Sequence, residues 1–186
     1  MAEVYSRINP KIKEILKRSG VGVIPTDTLY GVVGSALIPK AVERIYALRK
    51  RARSKPMIIL VGSLAHLRRF GVNPGKEEKK LMRKMWPGPV SIIFSCPLKK
   101  FSYLHRGTKT LALRLPKKRS LRALLRAVGP LVAPSANPQG RRPARTVREA
   151  QRYFGDRVDF YVQGGRLTAK PSSVIKMAKN KTIKLR

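Results

Sequence analysis

The sequence predicts an α/β fold, a twisted mixed sheet flanked by helices. Three observations carry this. Short apolar runs of strand length (VGVI, MIILV, VSIIF, LALRL) recur along the chain. Between them lie stretches whose apolar residues return every third or fourth position, as on one face of a helix. The two patterns alternate, which is how strands and helices that share one core are written.

The elements follow in order. Residues 9–18 read as a short basic helix with Ile12, Ile15 and Leu16 on one face. Residues 21–24 are a buried strand that runs into PTDTLYG. Pro39 opens a helix in which Val42, Ile45 and Leu48 recur at helical spacing, ending near residues 49–53. MIILV (57–61) is a strand, and Ser63 is placed to cap the helix that follows toward Phe70. Residues 76–86 read as a helix with Leu81, Met82, Met85 and Trp86 on one face. PGP at 87–89 breaks it before a strand at 90–94. LALRL (111–115) is a strand, 121–128 a helix stopped by Gly129 and Pro130, and 131–133 a strand entering PSANPQG. Thr146 caps a helix through Phe154, with Glu149 completing a capping box. Strands at 158–162, 173–176 and 182–185 complete the series, and several of these strand ends turn polar loops to one side.

At 186 residues with 42% hydrophobic content, a single domain spanning 1–186 is expected. No apolar stretch has the length of a membrane span and the N-terminus has no apolar signal core, so a soluble, cytoplasmic protein with no membrane partner is expected. Cys96 is the only cysteine, and His66 and His105 are far apart, which argues against a disulfide or a Cys/His metal site. Cys96 reads as a small core residue and the histidines as packing or surface residues.

Charge is the outlier. Lys and Arg total 42 against 9 acids, a formal +33. Such an excess attracts polyanions, and reads equally as a solvated coat. The scarcity of acids excludes chemistry as well. Only Asp27 lies in a dense polar motif, and no pair of acids is placed for two-carboxylate acid–base work or a protein-built magnesium site. A metal ion would arrive with phosphate.

Several loops carry polar groups beyond any obvious structural need: PTDTLYG after the first strand, the basic RKRARSKP (49–56), PSAN (134–137) and KPSSV (170–174). Within LALRL, Arg114 alternates with Leu113 and Leu115 and so projects from the opposite face. Together these supply hydroxyls, an amide and arginines, the donors that hold phosphates and a carboxylate. Taken singly, PTDT and PSAN also read as turns closed by their own side chains, and RKRARSKP as a solvated loop or RNA contact. The GxxxxGK[ST] and GxGxxG phosphate loops are absent, so a nucleotide site here is of another design.

The ordered set PTDTLYG, R-x-R with a downstream K-P-M, WPGPVSIIF, LALRLP, PSANPQG followed by RTV, GGRL and PSSVI resembles the YrdC-like threonylcarbamoyl-AMP synthase family, from about Val21 to Arg186. The resemblance implies a single-domain member without the additional C-terminal domain of longer members, and a twisted α/β sheet with a basic concave face linked to RNA binding. It implies a reaction in which L-threonine, bicarbonate and ATP, with Mg2+ carried by the ATP, give L-threonylcarbamoyladenylate and pyrophosphate. The product would serve threonylcarbamoyladenosine modification of tRNA through downstream threonylcarbamoyl-transfer proteins. RNA, as tRNA or double-stranded RNA, is an expected partner.

Carried over by motif, Thr28, Arg114 and Ser172 are expected at the threonine, Arg114 on its carboxylate. Arg51, Lys55, Thr110, Ser135, Asn137 and Arg186 are expected at the ATP. No protein nucleophile and no protein-held metal is implied. The chain departs from the family's K-x-R-P, having Arg49-Lys50-Arg51-Ala52 instead, so either Arg49 or Lys50 takes the place of the usual lysine. It also lacks a histidine that some members carry near Leu60, and holds Pro143 in an unusually basic GRRPAR loop. Two other readings stand beside the enzyme. One is a non-catalytic RNA-binding or ribosome-associated protein of the same fold. The other is hydrolysis or transfer of carbamoyl phosphate-like compounds, as in related domains of carbamoyltransferases that mature hydrogenases.

Overall fold

The computed structural model describes residues 1–178 and 181–185. Among them, ten strands form one mixed sheet in the order β1-β8-β2-β3-β7-β4-β6-β5-β9-β10. The strands are β1 (Glu3–Tyr5), β2 (Val21–Pro25), β3 (Tyr30–Ser35), β4 (Ile59–Leu60), β5 (Val90–Ser95), β6 (Thr110–Arg114), β7 (Leu131–Val132), β8 (Phe160–Val162), β9 (Ser173–Ala178) and β10 (Lys181–Lys184). Pairs β1–β8, β2–β8, β4–β6 and β5–β9 are parallel and the others antiparallel, so the sheet is mixed as expected. The helices are α1 (Pro10–Lys17), α2 (Pro39–Arg49), α3 (Ala65–Arg69), α4 (Lys76–Met85), α5 (Ser102–His105), α6 (Arg119–Val128) and α7 (Val147–Phe154).

Strand alternation sends side chains to two cores. Val21, Val23, Tyr30, Val32, Ile59, Leu111 and Leu113 face the larger, which α2 and α7 cover with Val42, Ile45, Ala150 and Phe154. Ile24, Val33, Leu60, Leu131 and Phe160 face the smaller, which α1 and α6 cover with Ile12, Leu16, Leu121, Leu124 and Leu125. Helices α1 and α6 cover only part of their face. The rest of it, beside β6, β5 and β9, is the floor of a cleft.

Local starts and stops follow the chemistry of the caps. Asn9 Oδ1 accepts from Ile12 N at 3.0 Å and opens α1 one residue later than the periodicity suggests. Thr146 Oγ1 accepts from Glu149 N at 3.2 Å at the start of α7, as expected, but the expected capping box is corrected: the Glu149 carboxylate accepts from Arg145 N at 2.8 Å, one residue before the cap, and not from Thr146 N. The expected Ser63 cap is corrected: α3 starts after Leu64 without a side-chain cap, and Ser63 offers its carbonyl to His66 N at 3.2 Å. MIILV contributes only Ile59–Leu60 as regular strand, although Ala133 N to Ile58 O and Val61 N to Arg114 O, both 2.9 Å, extend its pairing at each end.

His66 is buried, and its Nδ1 accepts from Gly62 N at 3.2 Å. Burial first, then the Arg69 guanidinium, hold it below its ordinary pKa of 6.5. The unfolded chain therefore takes up this proton first. The contribution of His66 is complete above about 6.5 and is lost as pH falls below it, when Nδ1 can no longer accept. His66→Gln, whose amide oxygen can take the Gly62 bond, is expected to flatten the dependence of melting temperature on pH between about 7 and about 5, read by calorimetry against the unaltered protein.

Candidate functional site

The first polar loop shows how the cleft is built. PTDT closes the β2–β3 hairpin, and Thr26, not Asp27, holds the turn. Thr26 Oγ1 accepts from Thr28 N at 3.1 Å and Leu29 N at 3.2 Å and donates to Leu29 O at 2.6 Å. That leaves the hydroxyl of Thr28, itself buried, against the cleft. Thr26→Val keeps the shape and removes these three bonds together with the 3.2 Å contact between Thr26 Oγ1 and Thr28 Oγ1. It is expected to cost about 1–3 kcal/mol, a drop of roughly 3–10 °C in melting temperature, and thermal unfolding measures it.

Asp27 turns outward from the hairpin to two other partners. It forms an ion pair with Arg114 Nη2 and accepts from Lys117 N at 2.9 Å. Arg114 is the last residue of β6 and, as alternation predicts, points away from the core that holds Leu113 and Leu115. Its Nε donates to Gly88 O at 3.2 Å and its Nη1 to Thr28 Oγ1 at 3.3 Å. Gly88 belongs to PGP, whose Trp86–Pro87 bond is cis and whose Gly88 N donates to Leu115 O at 2.9 Å. The guanidinium plane is thus fixed by three elements.

The cleft has a volume of about 500 Å³. Thr28, Arg114 and Ser172 line it together, and so do Arg49, Arg51, Thr110 and Ser135. Ser172, at the entrance to β9, is buried beside Ser91, with the two hydroxyl oxygens 3.5 Å apart. Across the floor lie Ile58, Leu60, Ile93, Ala112 and Val174, a strip of small and branched side chains. Lys50, Lys55 and Asn137 are not among the lining residues. Arg186 lies outside the described residues.

The basic loop separates its cations by backbone. Arg49 is the last residue of α2 and is buried; Lys50 takes φ 47° as the left-handed C-cap and is exposed. Arg49 Nε donates to Asn137 O at 2.9 Å, and its Nη2 lies 3.4 Å from both Ser135 Oγ and Asn137 Oδ1. Asn137 completes this support from behind, its Nδ2 donating to Pro138 O at 2.9 Å and Arg141 O at 2.7 Å. Arg49 makes no ion pair with a described carboxylate, and burial first, then Arg51, push its pKa down to about 10. It remains a cation at neutral pH, held where an anion would relieve it. Arg51 Nε and Nη2 donate to Lys55 O at 3.0 Å and Pro56 O at 2.9 Å. Lys55 itself is exposed, and its backbone closes the loop.

Three residues in or behind the cleft were not among the expected site residues. Thr108 lines it from the turn before β6, Ser91 backs Ser172, and Asp27 seats Arg114. The signal for Asp27 was present, since a chain with nine acids that buries an arginine has few partners for it. Among the described residues that line the cleft there is no carboxylate, and none form a group of three or more His, Cys, Asp or Glu able to hold a metal ion. Among the described residues no helix is long and apolar enough to cross a membrane.

An arginine- and hydroxyl-lined cleft of this kind suits two anions held side by side. The chain is 31% identical over 186 residues to a threonylcarbamoyl-AMP synthase of Thiobacillus denitrificans, covering 98% of each. It is 33% identical over 150 residues to that of Halorhodospira halophila, covering 80% of this chain and 78% of the relative. Among solved structures, P. abyssi Sua5 complexed with L-threonine superposes with a TM-score of 0.85 at 25% identity, over all of this chain and 56% of that one, so this chain spans little more than half of Sua5. E. coli YciO, at 24% identity, shares the fold with a TM-score of 0.86 over all of this chain and 95% of its own. The family model described as Telomere recombination, that of Sua5, YciO and YrdC, matches residues 14–186, and the chain belongs to the Sua5/YciO/YrdC family.

Proposed function

We propose that this chain is a threonylcarbamoyl-AMP synthase, an enzyme that makes L-threonylcarbamoyladenylate and pyrophosphate from L-threonine, bicarbonate and ATP. The observation that carries the reading is one cleft that gathers Thr28, Arg114 and Ser172 with Arg49, Arg51, Thr110 and Ser135. Relatives that bear the name align with up to 98% of the chain and support it.

The chemistry matches these residue types. The threonine amine attacks the bicarbonate carbon and water leaves, giving a carbamate. A carbamate oxygen then attacks the α-phosphorus of ATP, and the bond to the β-phosphate oxygen breaks as pyrophosphate departs with its electron pair. Both partners are anions, so the work of the protein is to align them and offset their repulsion. Alignment alone can supply roughly 7–11 kcal/mol of the barrier. In this assignment Arg114 takes the threonine carboxylate, with Thr28 and Ser172 beside it. Arg49, Arg51, Thr110 and Ser135 face the nucleotide. Asn137 and Lys55 act from behind, through Arg49 and the basic loop. Hydroxyls and arginines without a carboxylate suit a magnesium ion that enters on the phosphates of ATP. The destination of the product is threonylcarbamoyladenosine in tRNA, by way of downstream transfer proteins in the cytoplasm, and the +33 charge suits an RNA partner.

Pure protein with ATP, magnesium, bicarbonate and threonine should release pyrophosphate and threonylcarbamoyl-AMP, identified by mass spectrometry, only when all are present. No release, together with salt-dependent RNA binding that Arg114→Ala leaves unchanged, would replace this reading with a non-catalytic RNA-binding protein.

A further inference from the structure

Two loops form the end of the cleft that the proposed function gives to ATP. Residues 50–55 follow α2 and carry Arg51 toward the start of β4; residues 106–109 follow α5 and bring Thr108 and Thr110 to the same cleft at the start of β6, the parallel neighbour of β4. Both are tied to one acid, Glu43, on the flank of α2. Arg106 Nη2 donates to Glu43 Oε1, and Arg53 Nη1 stands 3.6 Å from Glu43 Oε2. The Arg106 guanidinium also lies 4.2 Å from the centre of the Tyr46 ring, which shares that face of α2. The Tyr46 hydroxyl donates to Lys55 O at 3.0 Å, the oxygen that also accepts from Arg51 Nε. A chain of contacts runs from Glu43 through Arg106 and Tyr46 to Arg51.

The 106–109 turn needs such a hold. Arg106, Gly107 and Lys109 take φ of 50°, 86° and 54°, two of them left-handed residues that carry side chains. As a source of stability alone the pair is poorly made. Arg106 Nε, Glu43 Oε2 and His105 Nε2 are buried without a hydrogen-bond partner among the described residues. What the pair does well is fix geometry.

We infer that Glu43 and Arg106 are positioning residues for the nucleotide: their ion pair, stacked on Tyr46, sets where Thr108 and Thr110 stand relative to Arg51 in the cleft. The inference rests on the function proposed above. Glu43→Gln and Arg106→Gln change net charge in opposite directions, so a general field effect would tighten ATP binding in the first and weaken it in the second. Positioning weakens it in both, by about three- to thirtyfold in KM for ATP, with KM for threonine within about twofold. The double variant should then be no worse than either single one. Opposite shifts, or equal losses for both substrates, would overturn the inference. Amide hydrogen exchange of the unliganded protein supplies a readout independent of activity. In both single variants residues 107–110 and 51–55 should exchange faster while residues 26–29 do not. Exchange unchanged in either loop would sink the inference even if the protein has no activity, and an inactive protein with both loops loosened would refute only the function.

Discussion

Arg114→Ala is expected to lower kcat/KM for threonine by about a hundred- to a thousandfold, the cost of truncating one partner of a buried, hydrogen-bonded charge contact. The residue stands at the meeting of three motifs, bonded to Thr28, Asp27 and Gly88, with only 5% of its side chain exposed. The substitution acts twice. It removes the group assigned to the substrate carboxylate, and it leaves the Asp27 carboxylate, 11% exposed, without its cation. The two effects separate experimentally. Asp27→Asn combined with Arg114→Ala removes the stranded charge and should recover most of the lost melting temperature without restoring pyrophosphate release. Arg114→Lys keeps the charge but loses the planar fork that fits a carboxylate, and is expected to stay well below the unaltered enzyme in kcat/KM. A full recovery by lysine would mean that charge alone, not geometry, matters at this position.

The parts of this fold that were legible in the sequence are those whose burial is written in apolar periodicity. Helices α2, α4, α6 and α7 fall where Val42, Leu81, Leu121 and Phe154 place them. Strand β3 escaped because YGVVGS carries two glycines and begins inside a polar motif, yet all six residues are buried. Gly34 is there for packing: a Cβ on it would stand 3.2–3.3 Å from Ile45, Val21 and Ala41, so α2 could not lie as close to the sheet. Strand β1, three residues at the sheet edge, is partly exposed and has no apolar pattern to announce it. Helix α5 is a single turn in a basic stretch and left no periodic signal. For the site, alternation alone was enough to aim Arg114. The division of labour between Thr26 and Asp27 was not legible, since either side chain can close such a turn and only the position of Arg114 decides which one does. The choice between Arg49 and Lys50 was equally closed to sequence, because it depends on where α2 ends.

Arg49→Ala is expected to raise KM for ATP by about ten- to a hundredfold, the worth of a charged hydrogen bond in a buried setting, and to leave KM for threonine within about twofold. The pH dependence gives a sharper test of the same assignment. Burial and the neighbouring Arg51 bring the Arg49 pKa down to about 10, below its value in the unfolded chain, so the fold disfavours this charge. The penalty is fully present at neutral pH and is relieved only as pH rises through about 10, where the folded chain gives up its proton first. A phosphate beside the guanidinium works in the opposite sense: it favours the charged form and raises the pKa again, so binding is coupled to proton uptake near that pH. Affinity for ATP should therefore be insensitive to Arg49 ionisation near neutrality and fall as pH passes about 10. Arg49→Lys places an intrinsically weaker base under the same burial and beside the same arginine. Its affinity for ATP, measured by calorimetric titration across this range, should begin to fall at lower pH than in the unaltered protein. Coincident profiles for the two would show that the residue at this position does not touch the phosphates, and the nucleotide end of the cleft would have to be reassigned.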